Sequence, residues 1–213
     1  MNILVTGAGG DSGIATIRSL CEDHYVVAAD CDKNAAGLRL AQESVVLPPA
    51  QDPKFLEAVS SVIAKNKIDF IFPNVDEELI IFASNLHKIP QAIISDSESI
   101  STCLDKIKTI NRLKKVIPTP NYPESYPAII RPSVSRGSRD VFKVCTVEEA
   151  DLVIALFEER GLEKDRLLIQ EFLPGDEVTV DAVCDSEGRL VVACPRVRMA
   201  TKGGICSVGR SIH

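Results

Sequence analysis

A run of glycines near the start of the chain could hold a phosphate. Residues 6–13 read T-G-A-G-G-D-S-G and follow the apolar residues 3–5. Glycines let the backbone N–H groups of a strand-to-helix turn approach a phosphate, and the N-terminus of the following helix favours an anion. Asp30 lies about where an acid would contact the ribose of a dinucleotide. The alternative is a turn whose glycines only let strand and helix pack closely.

One interpretation of this run is an NAD(P)-dependent oxidoreductase. Gly7, Gly10 and Gly13, together with Asp30, resemble the cofactor site of short-chain dehydrogenases and epimerases. Those enzymes carry a Tyr-x-x-x-Lys pair for proton transfer, and none of the three tyrosines has a lysine four residues later. We therefore keep NAD(P) binding as the alternative hypothesis.

Four segments further along resemble, in order and spacing, the nucleotide-binding module of ATP-grasp enzymes. They are residues 104–109 (LDKIKT), 117–120 (IPTP), 128–133 (AIIRPS) and 168–181 (LIQEFLPGDEVTVD). The third is similar to the large subunit of carbamoyl-phosphate synthase, a branch that also places a glycine-rich domain ahead of its ATP site. The resemblance covers nearly the whole chain and implies ATP binding.

The resemblance assigns residues to the phosphates of ATP. Lys106 and Arg131 occupy the two family positions whose cations reach these phosphates. The loop from Ser133 to Asp140 would fold over them, although relatives often have glycine where this chain has Asp140. Within the loop, charge and backbone N–H groups would come from Arg136, Gly137, Ser138 and Arg139.

The resemblance also assigns a purine pocket. Glu171, Phe172 and Leu173 resemble the residues that present backbone hydrogen bonds to the edge of adenine and an apolar wall to its face. Glu177 matches a position that commonly contacts the ribose. For Phe172 and Leu173, ordinary core packing after a strand is an equally open alternative.

Candidate substrate contacts lie in both halves. The residues after Glu187 include five cations and no acid, which suits a carboxylate or acyl phosphate, or else forms the solvated face of a strand. The cations are Arg189, Arg196, Arg198, Lys202 and Arg210, of which we select Arg196 and Arg198. In the first half we select Gly9, Gly10, Asp76 and Glu77.

The net charge, the cysteine spacing and the lack of long apolar runs each argue against a class of function. The chain of 213 residues has a net charge of −6 and a pI near 5.2, whereas a protein that binds nucleic acid needs a basic face. The seven cysteines include no C-x-x-C pair and no metal-ligand spacing, so we expect reduced, mostly buried thiols and no metal site built on cysteine, while Mg²⁺ is expected with ATP through ligands outside this chain. We expect a soluble cytoplasmic protein, because residues 2–5 follow no leader and no apolar run could span a membrane.

The elements that position these residues alternate between strands and helices. We predict strands at 3–5, 25–29, 44–47, 70–72 and 92–94, with helices capped by Asp52 and Asp76. This pattern predicts an α/β protein with a Rossmann-like parallel sheet over residues 1–97. The prolines at 118, 120, 123 and 127 follow a helix-rich connection, and residues 98–213 are predicted to form an incomplete α+β ATP-grasp domain. Its strands are predicted at 128–131, 141–144, 167–170 and 177–183, with a helix from the Thr146/Glu149 capping box to Gly161.

The resemblance implies an ATP-dependent carboxylate–amine ligase that acts through an acyl phosphate. Such enzymes hold Mg²⁺ with late carboxylates and usually an Asn, and the chain ends at His213 before such a motif. We therefore assign no catalytic or metal-binding residue. We expect that the chain is a truncation or a natural fragment, or that a second polypeptide completes the site. A homodimer is a further expectation. A non-catalytic ATP-binding fragment is the further alternative.

Overall fold

The computed structural model describes residues 1–135, 140–185, 187–202 and 205–212. It contains two compact units, Met1–Cys103 and Leu104–His213. The division falls between Cys103 and Leu104, whereas the sequence places the domain boundary between residues 97 and 98. Among the described residues, no helix is both long and apolar enough to cross a membrane.

The first unit is built on a four-stranded parallel sheet in the order β3-β2-β1-β4. The two central strands are buried on both faces, which explains why the sequence shows continuous apolar runs there instead of alternation. The predicted fifth strand is reduced to a single parallel bridge between Ile71 and Ala92. The predicted α/β class is confirmed. The strands are β1 (Asn2–Val5), β2 (Tyr25–Asp30), β3 (Glu43–Val46) and β4 (Phe70–Phe72).

Helices cover this sheet, and two of them begin differently from the prediction. Asp52 does not cap a helix, because its carboxylate accepts a hydrogen bond from the Lys54 N–H in the turn before α2. Asp76 is the first residue of α3, and Val75 is its N-cap. The helices are α1 (Asp11–Leu20), α2 (Phe55–Asn66), α3 (Asp76–Ser84) and α4 (Ser97–Leu104), with a 3₁₀ turn at Ala36–Arg39.

The second unit begins with α5 and an antiparallel sheet in the order β6-β5-β7, covered on one side by α6. The predicted Thr146 cap forms, because its Oγ1 accepts from the Glu149 N–H. The Glu149 carboxylate accepts from the N–H of Cys145, one residue before the N-cap, and not from that of Thr146 as in a standard capping box. Gly161 follows α6 with a φ of 78°. The elements are α5 (Lys106–Leu113), β5 (Ala128–Pro132), β6 (Phe142–Val144), α6 (Val147–Glu159) and β7 (Leu167–Glu171).

A second antiparallel sheet follows in the order β10-β9-β8. The sequence predicts β8 but neither β9 nor β10, because Pro195 and the arginines interrupt the apolar pattern there. The prediction of mostly buried thiols is wrong, since all seven cysteines are free, five are exposed and none is buried. The strands are β8 (Val178–Cys184), β9 (Leu190–Lys202) and β10 (Ile205–Ser211).

Candidate functional site

A cavity of about 510 Å³ lies in the second unit, on one face of the β6-β5-β7 sheet. Strand alternation sets its floor: Ala128 and Ile130 of β5 are buried on the α6 side, whereas Ile129 and Arg131 line the cavity. Gln170 of β7 pairs with Ile129 across the sheet and lines the cavity too. The volume is that of a small-molecule site.

Arg131 places a partly buried cation on this floor. One of its terminal nitrogens donates to Gln170 Oε1 at 3.0 Å, and no described residue accepts a hydrogen bond from its buried Nε–H. Burial lowers the pKa of Arg131 from its usual value, but a guanidinium stays charged. A buried donor without an acceptor is costly, so this cation suits an anionic ligand. The sequence analysis did not single out Gln170, although its place on the cavity face follows from the alternation of β7.

Lys106 brings a second cation to the same cavity. It is the first residue of α5, whose N-cap Asp105 accepts from the backbone N–H groups of Ile107 and Lys108 at 2.9 and 3.3 Å. Its Nζ donates to the Ser135 carbonyl at 2.7 Å and its backbone N–H to the Ser133 carbonyl at 2.9 Å. The two cations predicted to meet phosphates therefore share one cavity.

The predicted phosphate loop is only partly described. Ser133 is 2% exposed and does not belong to the described cavity wall, which Ser135 lines in its place. Asp140 has a φ of 58°, and its carboxylate lies 3.0 Å from Arg160 at the end of α6. The carboxylate that this chain has in place of the family's usual glycine is therefore already paired with a cation. Four predicted contacts lie outside the described residues: Arg136, Gly137, Ser138 and Arg139.

The predicted hinge lines the cavity, but most of its backbone donors are already used. The N–H of Glu171 donates to the Asn121 carbonyl at 2.9 Å, and the N–H of Phe172 donates to the Pro127 carbonyl at 3.3 Å. Within the described part of the chain, no group accepts from the N–H of Leu173. Of the N–H groups of these three residues, that of Leu173 alone remains able to donate to a purine, judged on the described residues. Its side chain is 58% exposed and so is not core packing.

The ring of Phe172 carries a cation that the sequence analysis missed. Lys143 Nζ lies 3.9 Å from the ring centroid, the geometry of a cation–π contact. Lys143 belongs to β6 and pairs with Ile129, so it stands on the cavity face of the sheet. The sequence offered only an indirect signal, the alternation of the strand predicted at 141–144, in which Phe142 and Val144 are the apolar positions and Lys143 lies between them.

The predicted ribose contact, Glu177, and the arginines of the cationic strip form ion pairs. Glu177 accepts from Arg198 at 2.6 Å, and both residues line the cavity. Arg196 lies 2.6 Å from Asp181 of β8, and Arg189 bonds to Asp185 and Glu187 at 2.8 and 2.9 Å. The strip has no acid in its own sequence, but the antiparallel pairing of β8 with β9 brings carboxylates from earlier in the chain to Arg196 and Arg198.

In the first unit, Asp30, the acid predicted to contact a ribose, accepts hydrogen bonds from the backbone of its own turn. Asp30 Oδ2 accepts from the Gly9 N–H at 2.7 Å, and Oδ1 accepts from the Asp32 N–H at 2.9 Å. A Cβ at Gly13 would lie 2.1 Å from the Gly7 carbonyl oxygen, so this glycine is needed for packing. Gly10 is the N-cap of α1. This geometry favours the packing interpretation over a dinucleotide site.

A buried acid lies beside the predicted contacts Asp76 and Glu77. Glu78, one residue further along α3, is 7% exposed and accepts a hydrogen bond from the Thr6 hydroxyl. Burial above all, with smaller contributions from the charges of Asp30 and Glu77, raises the pKa of Glu78 to about 7, although the hydrogen bond from Thr6 acts to lower it. The sequence analysis missed Glu78, although the end of a parallel strand such as β1 is where functional side chains gather.

Two family models match the chain. One, described as the PylC-like N-terminal domain, matches residues 3–95. The other, described as the ATP-grasp domain, matches residues 103–212. No curated protein matches in sequence.

Several solved structures share the fold at low identity. The L-amino acid ligase of Bacillus licheniformis has a TM-score of 0.72 and 15% identity over 96% of this chain and 54% of its own. N5-carboxyaminoimidazole synthetase of Staphylococcus aureus, complexed with ADP, has a TM-score of 0.67 and 15% identity over 96% and 56%. The biotin carboxylase domain of the Hydrogenobacter thermophilus 2-oxoglutarate carboxylase, a dimer with MgADP, ADP and bicarbonate, has a TM-score of 0.66 and 14% identity over 96% and 51%. The chain spans about half the length of these relatives.

Proposed function

The chain belongs to the ATP-grasp family, and on this premise we propose that its second unit binds ATP in the cavity on the β6-β5-β7 sheet. The observation that carries the proposal is the guanidinium of Arg131, which is partly buried on the cavity floor. No described residue accepts a hydrogen bond from its Nε–H. ATP supplies the anion that this donor requires, because its triphosphate carries about four negative charges.

The cavity residues divide into a phosphate end and a purine end. Lys106 and Arg131 contact the phosphates, since they are the two cations of the floor that the family resemblance assigns to this role. Phe172 provides the apolar wall, and the Leu173 N–H provides a donor to the purine edge. Glu177 lies on the cavity wall near the expected ribose, held by Arg198.

For the whole protein we propose a carboxylate–amine ligase reaction. A substrate carboxylate oxygen attacks the γ-phosphorus, the bond to the β-phosphate oxygen breaks, and ADP leaves with that electron pair. The nitrogen lone pair of an amine then attacks the acyl carbon, phosphate leaves, and the amine loses a proton. Lys106 and Arg131 stabilise the charge on the phosphates during the first step. A relationship to carbamoyl-phosphate synthase in particular stays a prediction, since the matched first domain is PylC-like.

Mg²⁺ would screen the β- and γ-phosphates in such a reaction. The described residues contain no group of three or more His, Cys, Asp or Glu side chains arranged to hold a metal ion. The proposal therefore assigns no metal ligand within them. Completion by a second copy or a second chain stays part of the proposal for the whole protein.

Calorimetric titration with ATP and ADP tests the binding proposal. We expect both nucleotides to bind, and Arg131→Ala to raise Kd by roughly 10- to 100-fold because a charge-assisted contact is lost. Arg189→Ala is the control, because Arg189 bonds to Asp185 and Glu187 outside the cavity. An unchanged Kd in Arg131→Ala, or tighter binding of NADP than of ATP, would refute the proposal. Phosphate release from ATP by the 213-residue chain would exclude a purely non-catalytic role.

A further inference from the structure

Asn121 and Glu171 are joined by three hydrogen bonds although they lie 50 residues apart. The Glu171 N–H donates to the Asn121 carbonyl at 2.9 Å. In return, Glu171 Oε1 accepts from the Asn121 backbone N–H at 2.8 Å and from Asn121 Nδ2 at 3.3 Å. We call this arrangement the Asn121–Glu171 clamp.

The clamp lies where the hinge leaves β7. Glu171 pairs with Ala128 of β5 on one edge of β7. The next residue, Phe172, donates to Pro127, which directly precedes β5, and Asn121 belongs to the same proline-rich segment. Because the N–H and C=O of one strand residue point to the same side, the bond to Asn121 also fixes the direction of the Glu171 carbonyl.

We infer that Glu171 is a positioning residue whose carboxylate, through Asn121, holds the hinge backbone of Glu171 to Leu173 in the orientation that receives a purine. This inference rests on the proposed ATP binding. The Oε1 atom is taken by two donors from Asn121, so this oxygen serves the protein and not a ligand. A carboxylate is a strong acceptor for these bonds, and its loss leaves the Asn121 N–H without this partner.

Two ligands and three variants test the clamp. ADP reports on the purine and phosphate ends together, whereas inorganic tripolyphosphate reports on the phosphate end alone. We expect Glu171→Ala to raise Kd for ADP roughly 10-fold and to leave Kd for tripolyphosphate within about twofold. Glu171→Asp should resemble the alanine variant, because it keeps the charge but is one methylene too short. Glu171→Gln should bind ADP within about threefold of the unmodified chain, because its amide oxygen still accepts from the Asn121 N–H.

The outcomes separate the clamp from its alternatives. Equal losses of ADP affinity in Glu171→Gln and Glu171→Ala indicate a direct carboxylate contact and overturn the inference. Parallel losses for ADP and tripolyphosphate indicate general damage to the unit and overturn it as well. If the unmodified chain binds tripolyphosphate but not ADP, the purine end is misassigned. If it binds neither, the proposed function itself fails.

Discussion

Thr6 donates a hydrogen bond from its hydroxyl to the buried carboxyl group of Glu78, and this bond joins the end of β1 to the first turn of α3. Both side chains are almost fully buried. The pKa of Glu78 is raised to about 7, first by burial and then by the charges of Asp30 and Glu77. The folded protein therefore holds a proton here that an unfolded chain releases near pH 4.5.

This difference predicts that stability falls as the pH rises. Because its pKa is higher in the folded than in the unfolded state, protonated Glu78 adds to the free energy of unfolding. This stabilisation is fully present below about pH 4.5 and is lost as the pH rises through 7. We expect the free energy of unfolding to be lower at pH 8 than at pH 5 by about 1–3 kcal/mol from this group. Glu78→Gln should remove most of the dependence, whereas Glu57→Gln, at an exposed acid of α2, should keep it. Denaturant unfolding at pH 5 and pH 8 measures the free energy of unfolding of each variant. An equal change between the two pH values in both variants would show that Glu78 is not the group responsible.

The glycine turn predicts unequal costs for two similar substitutions. Gly13→Ala should destabilise the first unit by about 2 kcal/mol or more, because the new Cβ would lie 2.1 Å from the Gly7 carbonyl oxygen. Gly10→Ala should cost about 1 kcal/mol or less, since its Cβ would meet that oxygen only at 3.6 Å. Thermal and denaturant unfolding compare the two. Similar costs would show that packing does not explain the glycines.

The contact between Lys143 and Phe172 predicts coupling between the two side chains. Lys143→Met should raise Kd for ADP by roughly two- to fivefold, because the ring loses the cation that lies 3.9 Å from its centroid. In a Phe172→Leu background the same substitution should change Kd very little. A double-mutant cycle by calorimetry measures the coupling, and equal effects in both backgrounds would mean that Lys143 acts without the ring.

The sequence predicts the cavity floor well because that information is local. Alternation along β5 separates Ala128 and Ile130 from Ile129 and Arg131, and the structure follows it. The Thr146 cap of α6 is local in the same way, since Thr146 and Glu149 are only three positions apart.

Contacts between distant segments were not predictable in this way. The hinge motif predicts backbone donors to a purine, yet Asn121 and Pro127 take two of them from a segment far away in the sequence. The cations of β9 looked unpaired because their carboxylates belong to β8, and β9 itself was not predicted. Strand register decides such pairs, and register depends on partners that a local pattern does not contain.

The bond from the Gly9 N–H to Asp30 places the chain's own carboxylate on the glycine turn of the first unit. A tethered carboxylate competes at an effective concentration of roughly millimolar or above. An incoming phosphate would have to displace it and also accept repulsion from the displaced charge. An added anion is therefore disfavoured at this turn for as long as Asp30 keeps its two backbone donors.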